Sequence, residues 1–288
     1  MKTVVKVVLC VVAYIVGVML MGMIAGALHL PSPTAPAGVT QQSAFIGMLF
    51  ATPLLAAGLT PLAMGLGGSR LKRTGAIMLL IFVALAVNTM IEAKVFSTFL
   101  TISVPMICLH YVLPCLSLAL ALALLFKSSG DPIGLLSFTP IQWAWRIAVA
   151  WLAFPVIYFV FGMCVAPFVT DAYLAGVASL RLPPMSVIIK TQLLRSPLFL
   201  LSSLPIVALW RGSRTRLIVA FGTAEAVIVG IFGLSQATWL PTVLRIGHSI
   251  EITFDSFAYV ALLVWLFAPQ KQNMPAATPV NTHVLAAS

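Results

Sequence analysis

The chain has 288 residues, 61% of them hydrophobic and 8% charged, with a mean hydropathy of +1.11. A soluble domain carries about a quarter charged residues, so the composition excludes a soluble fold and predicts an all-α integral membrane protein. Lys and Arg number 16 against 6 Asp and Glu, a net charge of +10; the basic residues cluster in short loops between apolar runs, as orientation signals do, and no nucleic-acid partner is expected.

Eight apolar runs of about 20 residues or more are each long enough to cross a hydrocarbon core of about 30 Å. They predict transmembrane helices at 7–29, 44–66, 76–98, 104–126, 146–168, 186–210, 217–238 and 243–267. Runs this continuous lack the alternation of a membrane barrel, and helices satisfy their own backbone groups in lipid. The first run begins after Lys2 and Lys6 and ends in an A-x-A pattern at Ala25 to Ala27, like a secretory signal. Its apolar stretch from Val7 to Ile24 exceeds a signal's core of about 7 to 15 residues, so a retained first span is expected.

"LPSPTAPAGVTQQ" (30–42) has no charge and predicts an irregular outer loop. Lys2, Lys6, "GSRLKR" (68–73), Lys127, Arg146, "RGSRTR" (211–216) and Lys271 all fall on one side of the predicted bundle. The positive-inside rule makes that side cytoplasmic, with both termini there, as in a protein of a bacterial inner membrane. Thr170 to Arg181 is expected to form a short outer helix ended by Pro183 and Pro184. The tail 271–288 is polar and expected to be disordered. Cys10, Cys108, Cys115 and Cys164 lie within apolar runs, the setting of buried free thiols rather than of a disulfide framework.

The chain also resembles itself. Shifted by 144 residues, "TPLLAAGLTPLAMGLGGSR" (52–70) lies opposite "SPLFLLSSLPIVALWRGSR" (196–214) without a gap, and 6 of 19 positions agree. Pro53 meets Pro197, Pro61 meets Pro205, and the turn Gly68-Ser69-Arg70 meets Gly212-Ser213-Arg214. Apolar residues coincide easily; two prolines and a turn do not. The reading is two parallel four-helix repeats, the first within 1–130 and the second within 143–270, joined by a cytoplasmic linker at 127–142. Such repeats recur in transporters, where interrupted spans at matching positions point to a site between the halves. The four prolines are helix-kink candidates on that view, and inherited packing kinks on the plainer one.

Four of the 6 acids, Glu92, Glu225, Glu251 and Asp255, fall inside predicted spans. Each would cost about 2.5 to 3.5 kcal/mol at a helix centre in lipid, so each is expected to face protein or water. In "RIGHSIEITFDSFAY" (245–259), the turn of about 100° per residue places Arg245, His248, Glu251, Asp255 and Tyr259 within an arc of roughly 120°. Glu92, His110, Lys190 and Arg195 are expected at similar depth on other spans, while Lys94 points away from Glu92 and toward the outer surface. Glu225 is read as a single hydrogen-bonded carboxylic acid, or else as an inner station on a proton path.

The candidate substrate or proton-binding residues are thus Glu92, His110, Lys190, Arg195, Arg245, His248, Glu251 and Asp255. Two carboxylates one turn apart, Glu251 and Asp255, repel when both are charged, which favours a shared proton and suits proton-coupled transport. The basic members offer a small anionic or lipid-like substrate something to bind. A membrane-embedded enzyme acting on a lipid or isoprenoid is the second reading. His110, His248, Glu92 and Glu251 are of the right type to hold zinc or iron, but no H-E-x-x-H pattern occurs and no cofactor is expected. A structural or assembly role, with the stripe fixing helix register and other membrane subunits as partners, is the third. The lipid bilayer is the common partner of all three.

Overall fold

Helices start where the sequence offers caps. Thr40 accepts from the Ser43 amide, Ser69 from Lys72, Thr139 from Gln142 and Ser213 from Arg216, each satisfying an amide that a helix N-terminus leaves open. The computed structural model describes residues 2–33, 36, 39–126 and 137–268. Linker residues 127–136, with Lys127, and the tail with Lys271 lie outside the described residues.

The described residues form helices and no strand: α1 Thr3–Ala27, α2 Gln41–Gly65, α3 Arg70–Phe96, α4 Val104–Leu109, α5 Val112–Leu125, α6 Pro140–Leu174, α7 Met185–Leu209, α8 Arg214–Gln236 and α9 Thr242–Phe267. Seven of them, all but α4 and α5, are long and apolar enough to cross a membrane. The chain is a polytopic helical membrane protein.

The expected fourth span, 104–126, is not one helix. It breaks at His110 and Tyr111, whose amides turn back to Ile107 and Cys108. Pro114 contributes to the break, since it lacks the N–H that would reach the His110 carbonyl four residues back and its ring crowds that carbonyl, although six other prolines lie inside continuous helices. The expected outer helix at 170–181 is also revised. Thr170 to Leu174 are the last turn of α6, and only Val177–Ser179 forms a separate 3-10 turn. Pro155 and Pro167 sit inside α6 without ending it.

Both α3 and α8 contain a wide π-helical segment, Phe82–Asn88 in the former and Val227–Ile231 in the latter. The kink candidates Pro53 and Pro61 lie inside α2, and Pro197 and Pro205 inside α7, all within continuous helices. α2 and α7 end at Gly65 and Leu209, and their following residues meet. Leu66 and Trp210 form an isolated antiparallel bridge, in which Gly67 donates to the Leu209 carbonyl (2.7 Å) and Arg211 to the Gly65 carbonyl (2.9 Å). Gly68 and Gly212 then turn with φ of +87° and +129°, left-handed values that favour glycine.

Packing follows small residues more than large ones, as expected where lipid removes the usual hydrophobic drive between helices. α1 lies on α5, α6 on α9, α3 on α5, α8 on α9, α2 on α8 and α3 on α7. Buried Ala51, Ala56, Ala63, Ala76, Ala119, Ala220 and Ala224 allow close approach around Leu55, Leu59, Leu80, Leu122, Phe221 and Phe267. Gly17 marks the tightest contact of α1: a Cβ there would stand 2.3 Å from the Ser117 hydroxyl and 2.8 Å from the Leu113 carbonyl. The outward faces of α1 and α6 carry exposed Val8, Met19, Leu152, Val156 and Met163, a surface suited to acyl chains.

Candidate functional site

At the end of the bundle opposite the Gly68 and Gly212 turns, the polar residues gather between α3, α6, α7 and α9. Glu92 follows the π-helical segment of α3 by one turn and Arg195 lies midway along α7; Arg195 Nη1 donates to Glu92 Oε1 at 2.8 Å. Arg195 is only 2% exposed. The same Nη1 donates to Gln192 Oε1 at 2.9 Å, and the guanidinium lies 5.9 Å from the Phe154 ring centre and 5.6 Å from that of Phe199. Aromatic faces and a carboxylate together make a buried cation tolerable in this setting.

The α9 stripe builds a second unit. His248 Nδ1 stands 2.6 Å from Glu251 Oε2, and His248 Nε2 stands 2.9 Å from the Tyr173 hydroxyl of α6. With a neutral imidazole, Nδ1–H donates to the carboxylate and Nε2 accepts from Tyr173. Glu251 is buried, and Gly162 of α6 passes close enough that a Cβ would lie 3.1 Å from its Oε1. One turn deeper, half-buried Asp255 has an Oδ1 with no hydrogen-bond partner, within electrostatic reach of Glu251, Glu92 and Arg195. Tyr259 continues the face; its buried hydroxyl has no hydrogen bond although Ser196 lies beside it.

Thus Glu92, Arg195, His248, Glu251 and Asp255 lie in one region between α3, α6, α7 and α9. Three other candidates stand apart from them. Lys190 is exposed on α7. Arg245 turns from the stripe toward α8, donating from Nε to the Leu234 carbonyl (3.0 Å) and from Nη2 to Ser235 (3.4 Å). It borders an apolar groove of about 510 Å³ with Ile231, Leu234, Ile250 and Phe254. His110 sits at the break between α4 and α5, its Nδ1 3.0 Å from the Met106 carbonyl and its Nε2 buried without a partner. Lys94 is half-buried and reaches past the end of α3, donating to the carbonyls of Leu100 and Ile102 in the loop that follows. Among the described residues no three His, Cys, Asp or Glu converge in a way that would hold a metal ion.

Sequence reasoning missed Tyr173, Gln192 and Tyr158. Tyr158 lies in the electrostatic field of Glu92, Arg195, Glu251 and Tyr173. Asn88 is fully buried at the end of the π-helical segment with neither side-chain atom bonded, and Gln192 has a bare Nε2. Buried amides without partners are rare in folded proteins, and they mark a polar interior around the ion pair. No protein-family model, curated protein or solved structure matches this chain.

Proposed function

We propose that the chain is a proton-coupled secondary transporter in which Asp255 carries the coupling proton and the Glu92–Arg195 pair joins two moving halves. The carrying observation is the juxtaposition of an ion pair between α3 and α7 with a carboxylate oxygen that has no partner. Ion pairs between repeats can break and re-form as one half rocks against the other. Intramembrane ionisable groups are functional by default, and an unpartnered carboxylate is the one most ready to exchange a proton.

The two-repeat architecture is part of this reading, with four membrane segments per half, α4 and α5 together forming the fourth, and both termini cytoplasmic in an inner membrane. Several observations at a spacing of 144 residues support it. α2 (Gln41–Gly65) and α7 (Met185–Leu209) have matching bounds, and the π-helical segments of α3 and α8 overlap when shifted. The bridge joins Leu66 to its own counterpart Trp210, and its two hydrogen bonds exchange places under the shift. Packing repeats likewise: α1 on α5 corresponds to α6 on α9, and α2 on α8 to α7 on α3.

Charge balance refines the substrate. Glu92 and Arg195 offset each other, His248 serves Glu251, and Lys190 and Arg245 lie elsewhere. What remains at the centre is acidic, which favours a proton or another cation as the coupled species, with an anionic or lipid-like substrate engaging Arg195 only when it leaves Glu92. The test is reconstitution in proteoliposomes containing a pH-sensitive dye, challenged with a panel of small organic anions and cations. Wild type is expected to give a substrate-driven pH change that Asp255→Asn abolishes while remaining folded. Undiminished proton flux in that variant removes Asp255 from the mechanism.

A further inference from the structure

The opposite end of the bundle poses a separate question. Arg73, in the first turn of α3, is 3% exposed. Its Nη2 donates to the carbonyls of Ala63 and Phe126, at the C-terminal ends of α2 and α5. Its Nε, however, is buried and has no acceptor. Arg211, just past the end of α7, lies within electrostatic reach of Arg73, and its Nε and Nη1 are likewise buried without partners. Its guanidinium lies against Gly67, where a Cβ would stand 1.8 Å from Nε.

Both ion pairs among the described residues are at the other end of the molecule. None of the described acids, Glu92, Asp171, Glu225, Glu251 and Asp255, pairs with either guanidinium. Exposed Arg70 and Lys72 add to the same field. The N-terminus of α3 adds the positive end of a long helix there, although Ser69 already takes the Lys72 and Arg73 amides. A buried guanidinium and a half-buried one within electrostatic reach of each other, with no counter-ion among the described residues, are a strained arrangement unless an anion completes it.

The positions of these two residues in the chain sharpen the point. At a spacing of 144, Arg73 corresponds to Leu217, and Arg211 corresponds to Gly67, the glycine it covers. Each guanidinium is therefore absent from the matching position, and both are directed to one side of the Leu66–Trp210 bridge. A shared scaffold would place one on each side. The bridge region is near-symmetric in its backbone, and the second half carries arginines of its own at this end, Arg146 and Arg214, on the carbonyls of Leu266 and Ala268.

We propose that this end of the protein binds a phosphate group, seated between Arg73 and Arg211 at the N-terminus of α3. Guanidinium groups match phosphate oxygens in geometry as well as charge, and helix N-termini favour the same ligand. A phospholipid headgroup and a free phosphate share this chemistry. The site is independent of the transport reading and would stand without it.

The test uses the full-length protein in neutral detergent, with thermal stability and native mass spectrometry as readouts. Phosphatidylglycerol and diacylglycerol, which lacks the phosphate, are added in one arm, and inorganic phosphate or chloride at equal ionic strength in the other. Wild type is expected to prefer phosphatidylglycerol over diacylglycerol, or phosphate over chloride, by at least about tenfold in affinity. A preference in the first arm alone assigns a lipid headgroup; one in the second assigns free phosphate. Arg211→Gln keeps the main-chain bond to Gly65 and should lose the preference, whereas Arg216→Gln, on the exposed surface, should keep it. Arg73→Gln is the less informative variant, since it also releases two helix ends. No preference in either arm, a full preference in Arg211→Gln, or an equal loss in Arg216→Gln overturns the proposal.

Discussion

Replacing Glu92 with leucine takes away the carboxylate that neutralises Arg195. The guanidinium is 2% exposed and cannot turn to water, and its Nε already has no acceptor, so the loss falls on a buried charge. Breaking a buried pair by removing one partner destabilises by about 3 to 5 kcal/mol. Two features set the value at the low end. Arg195 keeps its hydrogen bond to Gln192, and the Glu92 side chain is 27% exposed, so the carboxylate itself was only partly stripped of water. About 3 kcal/mol corresponds to a fall in melting temperature of roughly 6 to 12 °C for a chain of this size. The informative partner is the double variant Glu92→Leu, Arg195→Leu. Replacing a whole buried pair by apolar side chains is close to neutral, so the double variant should recover to within about 1 kcal/mol of wild type. Stability is read by thermal unfolding in detergent, and transport in proteoliposomes. The expectation is a double variant that is stable and does not transport. A double variant as unstable as the single one refutes the pairing energetics, and one that is stable and active reduces the pair to a helix fastener.

Other expectations follow from single contacts. Tyr173→Phe removes one hydrogen bond to His248 and should lower stability by about 1 kcal/mol, whereas His248→Ala leaves the buried Glu251 carboxylate without its partner and should lower it by about 2 to 3 kcal/mol; equal effects in chemical unfolding would contradict the Tyr173–His248–Glu251 order. Gly17→Ala forces the α1–α5 contact apart and should cost about 1 to 3 kcal/mol, with a normal melting temperature counting against that packing. Pro114→Ala restores the N–H that the His110 carbonyl lacks and should join α4 to α5. Hydrogen exchange reads this directly: a residue 114 amide that exchanges freely in the variant would assign the break to something other than the proline.

Much of the architecture was readable because membrane helices declare themselves by length and apolarity. The turn residues Gly68, Ser69, Gly212 and Ser213 and the α9 stripe were readable from spacing. What was not readable depends on neighbours. Helical arithmetic places a side chain on its own helix but does not say which helix comes to meet it. Lys190 and Arg195 are five residues apart, about 140° around α7, so only one of them can face the interior. Arg245 shares the stripe of α9 yet turns to the carbonyls of Leu234 and Ser235, because the end of α8 leaves those acceptors open nearby. Tyr173 was hidden by the assumption that a new helix begins at Thr170; once α6 runs through to Leu174, the phenol stands over His248. The break at His110 was legible in principle, since Pro114 lies four residues on, but the surrounding apolar run masked it.

The meeting of Leu66 and Trp210 has a mechanical consequence. Two hydrogen bonds at one point resist separation far more than rotation, so α2 and α7 are fastened by something close to a fulcrum. Arg195 lies 14 residues before the end of α7, a lever arm of about 21 Å. A swing of about 8° about the fulcrum carries its guanidinium some 3 Å, comparable to the 2.8 Å that separates it from Glu92. Motion too small to disturb the bridge is thus enough to part the Glu92–Arg195 pair.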